Sequence, residues 1–314
     1  MKKYLCEAIA GTLVLLFVLP IAFTQLTKPE PRRFSGVRLT ETSYQEVDFH
    51  NVSQDIDLAG MLFTPTIPGP YPAAVIIQGS GRSYRQGIWY LTLTEYLRRN
   101  GILVLLPDKR GSEKSAGDWR TASMHDLATD TLAAIEYLRS RDDIAVTHIG
   151  VIGMSQGGHI APLVANESAD VSFVVNVVGA AVPTHEQLIF EETHNLEQIG
   201  ILPGLAHLLA YPSTWVIRNI RRKEYWDVVG NSDPAPYWRK LNVRGLALYG
   251  KDDTNVPSLA SERVLQSLGN PHIEVKVYDG SGHALETPVG EGDSIFREDA
   301  MRTIRDFIME ASSV

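Results

Sequence analysis

One cysteine, Cys6, stands in a chain of 314 residues. No internal disulfide can brace the folded body, so a disulfide scaffold is excluded. Basic residues are also scarce: 29 Lys and Arg face 37 Asp and Glu, for a net charge of −8. A nucleic-acid-binding face needs a basic surface, so no nucleic-acid partner is expected. Phosphate-cradling signatures are missing as well. No G-x-x-x-x-G-K-[ST] loop occurs, and Gly79-Ser80-Gly81 begins a G-x-G-x-x-G fingerprint that fails at Tyr84. His185, His194 and His207 lack metal-ligand spacing, and neither metal nor organic cofactor is expected. There are no internal repeats or low-complexity tracts. What remains is an ordinary globular composition, 44% hydrophobic and 21% charged, enough for a sizeable core.

The N-terminus departs from that composition. Lys2 and Lys3 precede an uncharged run from Ala8 to Thr27, dense in Leu, Val, Ile and Phe. As a helix such a run reaches roughly 30 Å, the thickness of a bilayer core. No clean A-x-A cleavage site follows, so residues 1–27 are expected to be an uncleaved membrane anchor, with a signal peptide as the alternative. The body is then anchored or exported. Residues 28–40, rich in proline and charge, read as a linker.

From residue 41 onward, strands and helices alternate. Tyr44–Asn51 and Ile56–Pro65 read as a strand pair. Ala73–Gly79, Ile102–Asp108, His148–Gly153, Val171–Gly179, Gly245–Gly250 and Ile273–Gly280 are apolar runs, the pattern of strands buried on both faces. Helical periods cover Ile88–Gly101, Met124–Arg141, Gly158–Glu167, Ser258–Gly269 and Glu298–Ala311. This order predicts a doubly wound, mostly parallel α/β sheet with right-handed crossovers, in one domain over 41–314. Only residues 183–241 break it. They hold helix-like stretches with Trp215, Trp226, Trp238, Tyr211, Tyr225 and Tyr237, and read as a helical lid.

In such a sheet, ligands bind beyond the carboxyl ends of the strands. There the stretch Gly153-Met154-Ser155-Gln156-Gly157 connects a strand directly to a helix. G-x-S-x-G in that context is the nucleophile-elbow signature, whose glycines permit a turn sharp enough to expose the serine hydroxyl. Ser155 is the candidate nucleophile. A serine needs a base, and the base needs an acid to orient it. His283 lies in a glycine-flanked loop after the last predicted strand of the sheet, again at the carboxyl rim. His125 falls within a helix, His148 opens a strand, and His159 at a helix start suits a capping or surface role. For the acid, Asp252 and Asp253 follow the strand Gly245–Gly250 side by side.

Together these residues resemble the α/β-hydrolase superfamily. Its G-x-x-D-x-x-V-P pattern matches Gly250 through Pro257, and by that resemblance Asp253 is the triad acid and Asp252 a solvated loop acid. Asp108-Lys109-Arg110-Gly111 through Ser115 is similar to the superfamily's D-x-R-G-x-G-x-S segment, with Glu113 in place of the middle glycine. Asp108 and Arg110 there would fix the loop and take no part in chemistry. The resemblance also implies an oxyanion hole from the amides of Gln156 and Ser80, with Gly81 as the alternative donor, although Gln78 stands where a histidine is usual. It covers 41–314 and points most nearly to bacterial esterases and to dienelactone-hydrolase and prolyl-peptidase relatives.

The implied reaction is two-step acyl transfer on a small-molecule ester, with the aromatic-rich lid favouring an apolar part. A prolyl-type peptidase, a thioesterase and a non-catalytic binding module on the same scaffold are the alternatives. Arg218, Arg221, Arg222 and Lys223 read as a solvated helix face, with contact to anionic lipid as the sharper option.

Overall fold

The computed structural model describes residues 4, 7, 11, 12, 18–27 and 32–311. Most of the expected membrane span before Leu19, and residues 28–31 of the expected linker, lie outside the described residues. The span's described end is a nine-residue helix, α1, Leu19–Thr27. Among the described residues, no helix is long and apolar enough to cross a membrane.

Eight strands form the central sheet: β2 (Gln45–Asn51), β3 (Ile56–Phe63), β4 (Tyr71–Ile77), β5 (Leu103–Pro107), β6 (Val146–Met154), β7 (Val171–Val177), β8 (Arg244–Gly250) and β9 (Ile273–Tyr278). Their order across the sheet is β2-β3-β5-β4-β6-β7-β8-β9. The pairings of β3 with β2 and with β5 are antiparallel, and the rest are parallel. The sheet is therefore doubly wound and mostly parallel, as the alternation predicts. Val75, Val151, Val174 and Ala247 pack on one face, against α3 (Met124–Arg139), α4 (Gln156–Glu167) and α9 (Ser258–Ser267). Ala74, Ile152, Val175 and Leu248 face the other way, against α2 (Ile88–Arg99) and α10 (Glu298–Ala311). Adjacent residues thus enter opposite cores, which is why these strands read as continuous apolar runs.

Sequence explains the helix boundaries locally. Ser123 caps α3 by accepting from the Asp126 amide, and the Asp126 carboxylate returns a bond to the Ser123 amide. In α10, Ala300, Met301, Ile304, Phe307 and Ile308 form the buried stripe of an amphipathic helix. No strand interrupts residues 184–240, which hold α5 (Thr184–Gln198), α6 (Pro203–Val216), a π-helical turn (Ile217–Arg221), α7 (Lys223–Val229) and α8 (Ala235–Lys240).

A second sheet departs from expectation. Short strands β10 (Glu286–Val289) and β11 (Asp293–Phe296) pair with each other, and β11 pairs with β1, Arg33–Ser35. The stretch read as a linker is thus docked from Arg33 onward. The Val37 amide donates to Thr92 on α2 at 3.0 Å.

Candidate active site

Ser155 sits between β6 and α4 with φ 54° and ψ −121°. A non-glycine residue held there costs of order 1–3 kcal/mol, which the surrounding packing must offset. The packing is close. A Cβ on Gly153 would meet the Gly157 carbonyl oxygen at 2.1 Å, and one on Gly157 would meet the Ile77 carbonyl oxygen at 2.0 Å. Both glycines of the motif are there because backbone passes where a side chain would stand. The Ser155 amide donates to the Val177 carbonyl at 2.9 Å, fixing the elbow to the neighbouring strand.

His283 and Asp253 come to the same rim from the loops after β9 and β8. The His283 Nε2 stands 2.9 Å from Ser155 Oγ, and Nδ1 stands 2.8 Å from Asp253 Oδ2. The Asp253 side chain is fully buried. Its other oxygen accepts from the amides of Asn255 at 2.7 Å and Val256 at 2.9 Å. Asp252, the adjacent acid, is exposed. The histidine loop is itself braced: Trp89 Nε1 donates to the Ala284 carbonyl, and Gly250 lies where a Cβ would be 2.2 Å from the Gly282 oxygen.

Ser80, Ser155 and Gln156 line one cavity of about 300 Å³. Gln156 is the first residue of α4, so its amide has no carbonyl one turn earlier in the helix to bond. The Ser80 loop is held from behind, where Tyr90 Oη accepts from the Gly79 amide at 2.9 Å and Lys109 Nζ donates to the Gly79 carbonyl. Burial raises the Tyr90 hydroxyl's pKa, keeping it a neutral phenol.

The insertion forms the cavity's far wall, but the lining is more polar than an aromatic lid implies. Tyr225 and Trp226 reach it together with Leu188, Ile217 and Val229, and so do Glu191, Glu192, Arg221 and Arg222. Trp238 is buried in the core, while Trp215 and Tyr211 are exposed. Burial raises the pKa of Glu191, with His283 and Arg222 pulling the other way. Of the basic run, Arg221, Arg222 and Lys223 are exposed and Arg218 is half-buried. Arg218 lies over the Trp226 ring at 5.6 Å, Lys223 pairs with Asp227, and the middle two face the cavity.

Asp108 is buried and takes three bonds from Arg85, while Arg110 grips Asp130, Gln54 and the Asp126 carbonyl, so both fix loops. His159 does not cap or face solvent. It is buried against Ser232 Oγ at 2.9 Å, and burial lowers its pKa to about 4. His125 is exposed beside Glu167. Among the described residues, no cluster of His, Cys, Asp and Glu could hold a metal ion. Sequence reading missed Tyr90 and Lys109. The only signal for Lys109 was its place just past a buried strand at the carboxyl rim.

Fold and site define an α/β-hydrolase. The solved structures agree: this chain is similar to a Pyrococcus furiosus esterase with a TM-score of 0.63 and 19% identity, over 89% of this chain and 97% of that one. It is similar to Est1E from Butyrivibrio proteoclasticus with a TM-score of 0.58 and 18% identity, over 86% and 99%. Residues 132–290 match the BAAT / acyl-CoA thioester hydrolase C-terminal family, and residues 58–197 match the dienelactone hydrolase family. The chain belongs to the first of these, within a superfamily of esterase-like hydrolases. Esterase EstD of Thermotoga maritima is 25% identical over 81% of this chain, which spans 66% of that esterase. A mouse peroxisomal succinyl-coenzyme A thioesterase is 24% identical over 72% of this chain, which spans 52% of it.

Proposed function

We propose that the protein is a serine hydrolase that cleaves carboxylic esters through an acyl-enzyme. Ser155 Oγ attacks the ester carbonyl carbon as His283 Nε2 takes the hydroxyl proton. Asp253 holds the imidazole with Nδ1 protonated and stabilises the imidazolium that forms. The amides of Ser80 and Gln156 receive the oxyanion. The tetrahedral species collapses, the alcohol departs with the proton from His283, and Ser155 keeps the acyl group. Water then attacks with His283 as base, releasing the acid and restoring the serine.

The observation that carries this reading is the unbroken contact sequence from Ser155 to His283 to Asp253, each step under 3 Å. The ester assignment rests on that site together with the kinship to EstD. The mixed cavity lining suits an ester whose apolar part lies near polar groups. The test is a panel of p-nitrophenyl esters of rising acyl length, beside aminoacyl amides and acyl-CoA thioesters. Ester turnover should dominate. Preference for amides would make the protein a peptidase, and preference for CoA substrates a thioesterase. The run Ala8–Thr27 is assigned to anchor this body at a membrane, and alkaline carbonate extraction separates an anchored chain from a released one.

A further inference from the structure

Lys109 follows β5 between two residues that are tied into ion pairs, Asp108 to Arg85 and Arg110 to Asp130. Lys109 itself has no ion pair among the described residues. Its ammonium turns inward and donates to the Gly79 carbonyl and, at 3.2 Å, to Gln156 Oε1. These acceptors belong to the two halves of the oxyanion hole. The Gly79 carbonyl and the Ser80 amide are opposite ends of one planar trans peptide group, so fixing the oxygen fixes the direction of the N–H. A cation on that oxygen also draws electron density from the nitrogen and strengthens the N–H as a donor. The second acceptor sits on the residue whose own amide is the other donor. Gln156 Nε2 in turn donates to Tyr225 Oη on α7 at 2.9 Å, tying the same residue to the insertion.

We propose that Lys109, as its ammonium, is a positioning residue that orients and polarises the Gly79–Ser80 peptide and locks it to the first residue of α4. This rests on the serine-hydrolase reading. Lys109 does not touch the reacting atoms; it acts through the peptide.

The charge has a consequence for pH. Burial lowers the lysine pKa to about 7. Around it, Asp108 and Asp130 are occupied by arginines, Tyr90 bonds the Gly79 amide, and Tyr225 bonds Gln156. Burial raises the Tyr225 hydroxyl to about 12, so it stays neutral. His283 and Asp253 are engaged with each other beyond Ser155, and none of these groups contacts the ammonium directly. As pH rises through neutrality the ammonium deprotonates, the Gly79 carbonyl loses its cation, and turnover falls. The kcat profile therefore carries a descending limb that belongs to Lys109.

The experiment measures kcat and KM for p-nitrophenyl butyrate against pH in wild type, Lys109→Met, Lys109→Arg and Ser155→Ala. Losing one oxyanion donor costs about 10²–10³ in kcat, so misorienting one should cost roughly 10- to 100-fold in Lys109→Met, with KM within about threefold. Its descending limb should vanish. Lys109→Arg keeps a cation that does not titrate, so it should recover much of kcat and hold a flat alkaline plateau. A lysine that merely braced the loop would change the melting temperature and leave the limb in place. Wild-type kcat in a folded Lys109→Met, or a descending limb that survives in Lys109→Arg, overturns the proposal, and the second stays readable if Lys109→Met fails to fold. Hydrolysis persisting in Ser155→Ala would instead sink the serine-hydrolase reading beneath it.

Discussion

Replacing Asp253 by Asn while replacing Asp252 by Asn in a second variant tests the acid's role at nearly constant shape. Asp253 Oδ1 accepts two backbone amides, from Asn255 and Val256, and Oδ2 meets His283 Nδ1. An asparagine can keep its oxygen toward the two amides, which puts its NH₂ against Nδ1. Flipping the amide would restore an acceptor to Nδ1 but leave two buried backbone donors facing an NH₂. Each unpaired buried donor costs about 1–3 kcal/mol, so the flip is disfavoured. The side chain therefore donates to Nδ1 and forces the proton onto Nε2, where the imidazole cannot accept from Ser155. In serine proteases the equivalent exchange lowers kcat by about 10⁴, and the same arithmetic gives roughly 5.5 kcal/mol of transition-state stabilisation here. Asp252→Asn alters only an exposed group and should stay within about twofold of wild type, as surface substitutions do. Steady-state kinetics on p-nitrophenyl butyrate, with melting temperatures to confirm folding, provide the readout. Near-wild-type turnover in Asp253→Asn, or an equal loss in Asp252→Asn, would leave the Asp253 carboxylate no special part in setting the His283 tautomer.

Two further perturbations probe the scaffold. Gly157→Ala forces a Cβ toward the Ile77 carbonyl and pushes the start of α4 away from β4, the strand that leads into the Ser80 loop. Overpacking of this kind costs about 1–3 kcal/mol, so the melting temperature should drop and kcat should fall further than stability alone explains; an unchanged protein would mean the elbow is not tightly packed. Glu95 is buried on α2, where burial alone would raise its pKa but bonds from Arg98, Arg99 and Thr42 outweigh it and hold the carboxyl at about 2. Its folded pKa lies below the unfolded value near 4.5, so its contribution is full above that pH and fades as pH falls toward 2. Glu95→Gln should lower denaturant stability at neutral pH, and the gap to wild type should close on acidification; a gap independent of pH would contradict this.

Much of the site was legible because its parts are local. Gly153 to Gly157 announces a tight turn wherever a buried strand meets a helix, and the sheet's topology then carries His283 and the acids to the same edge. The choice between Asp252 and Asp253 came from the resemblance, not from the residues, since both acids follow the same strand. The small sheet was not legible. β1 and β11 are only three and four residues long and pair across more than 250 positions of chain, so no periodicity could build up in either. His159 was misjudged because a histidine near a helix start usually meets solvent, whereas here the insertion covers it through Ser232. Lys109 resembled any charged residue in a polar loop. Its inward turn depends on Arg85 and Arg110 claiming the neighbouring acids, and the sequence does not display those pairings.

Peptide mapping by mass spectrometry after treatment with a fluorophosphonate shows whether Ser155 is the activated nucleophile. A single phosphonyl adduct is expected on the peptide bearing Ser155, absent in Ser155→Ala and strongly slowed in His283→Ala. An unmodified protein that still hydrolyses esters, or an adduct on any other residue, would contradict that role.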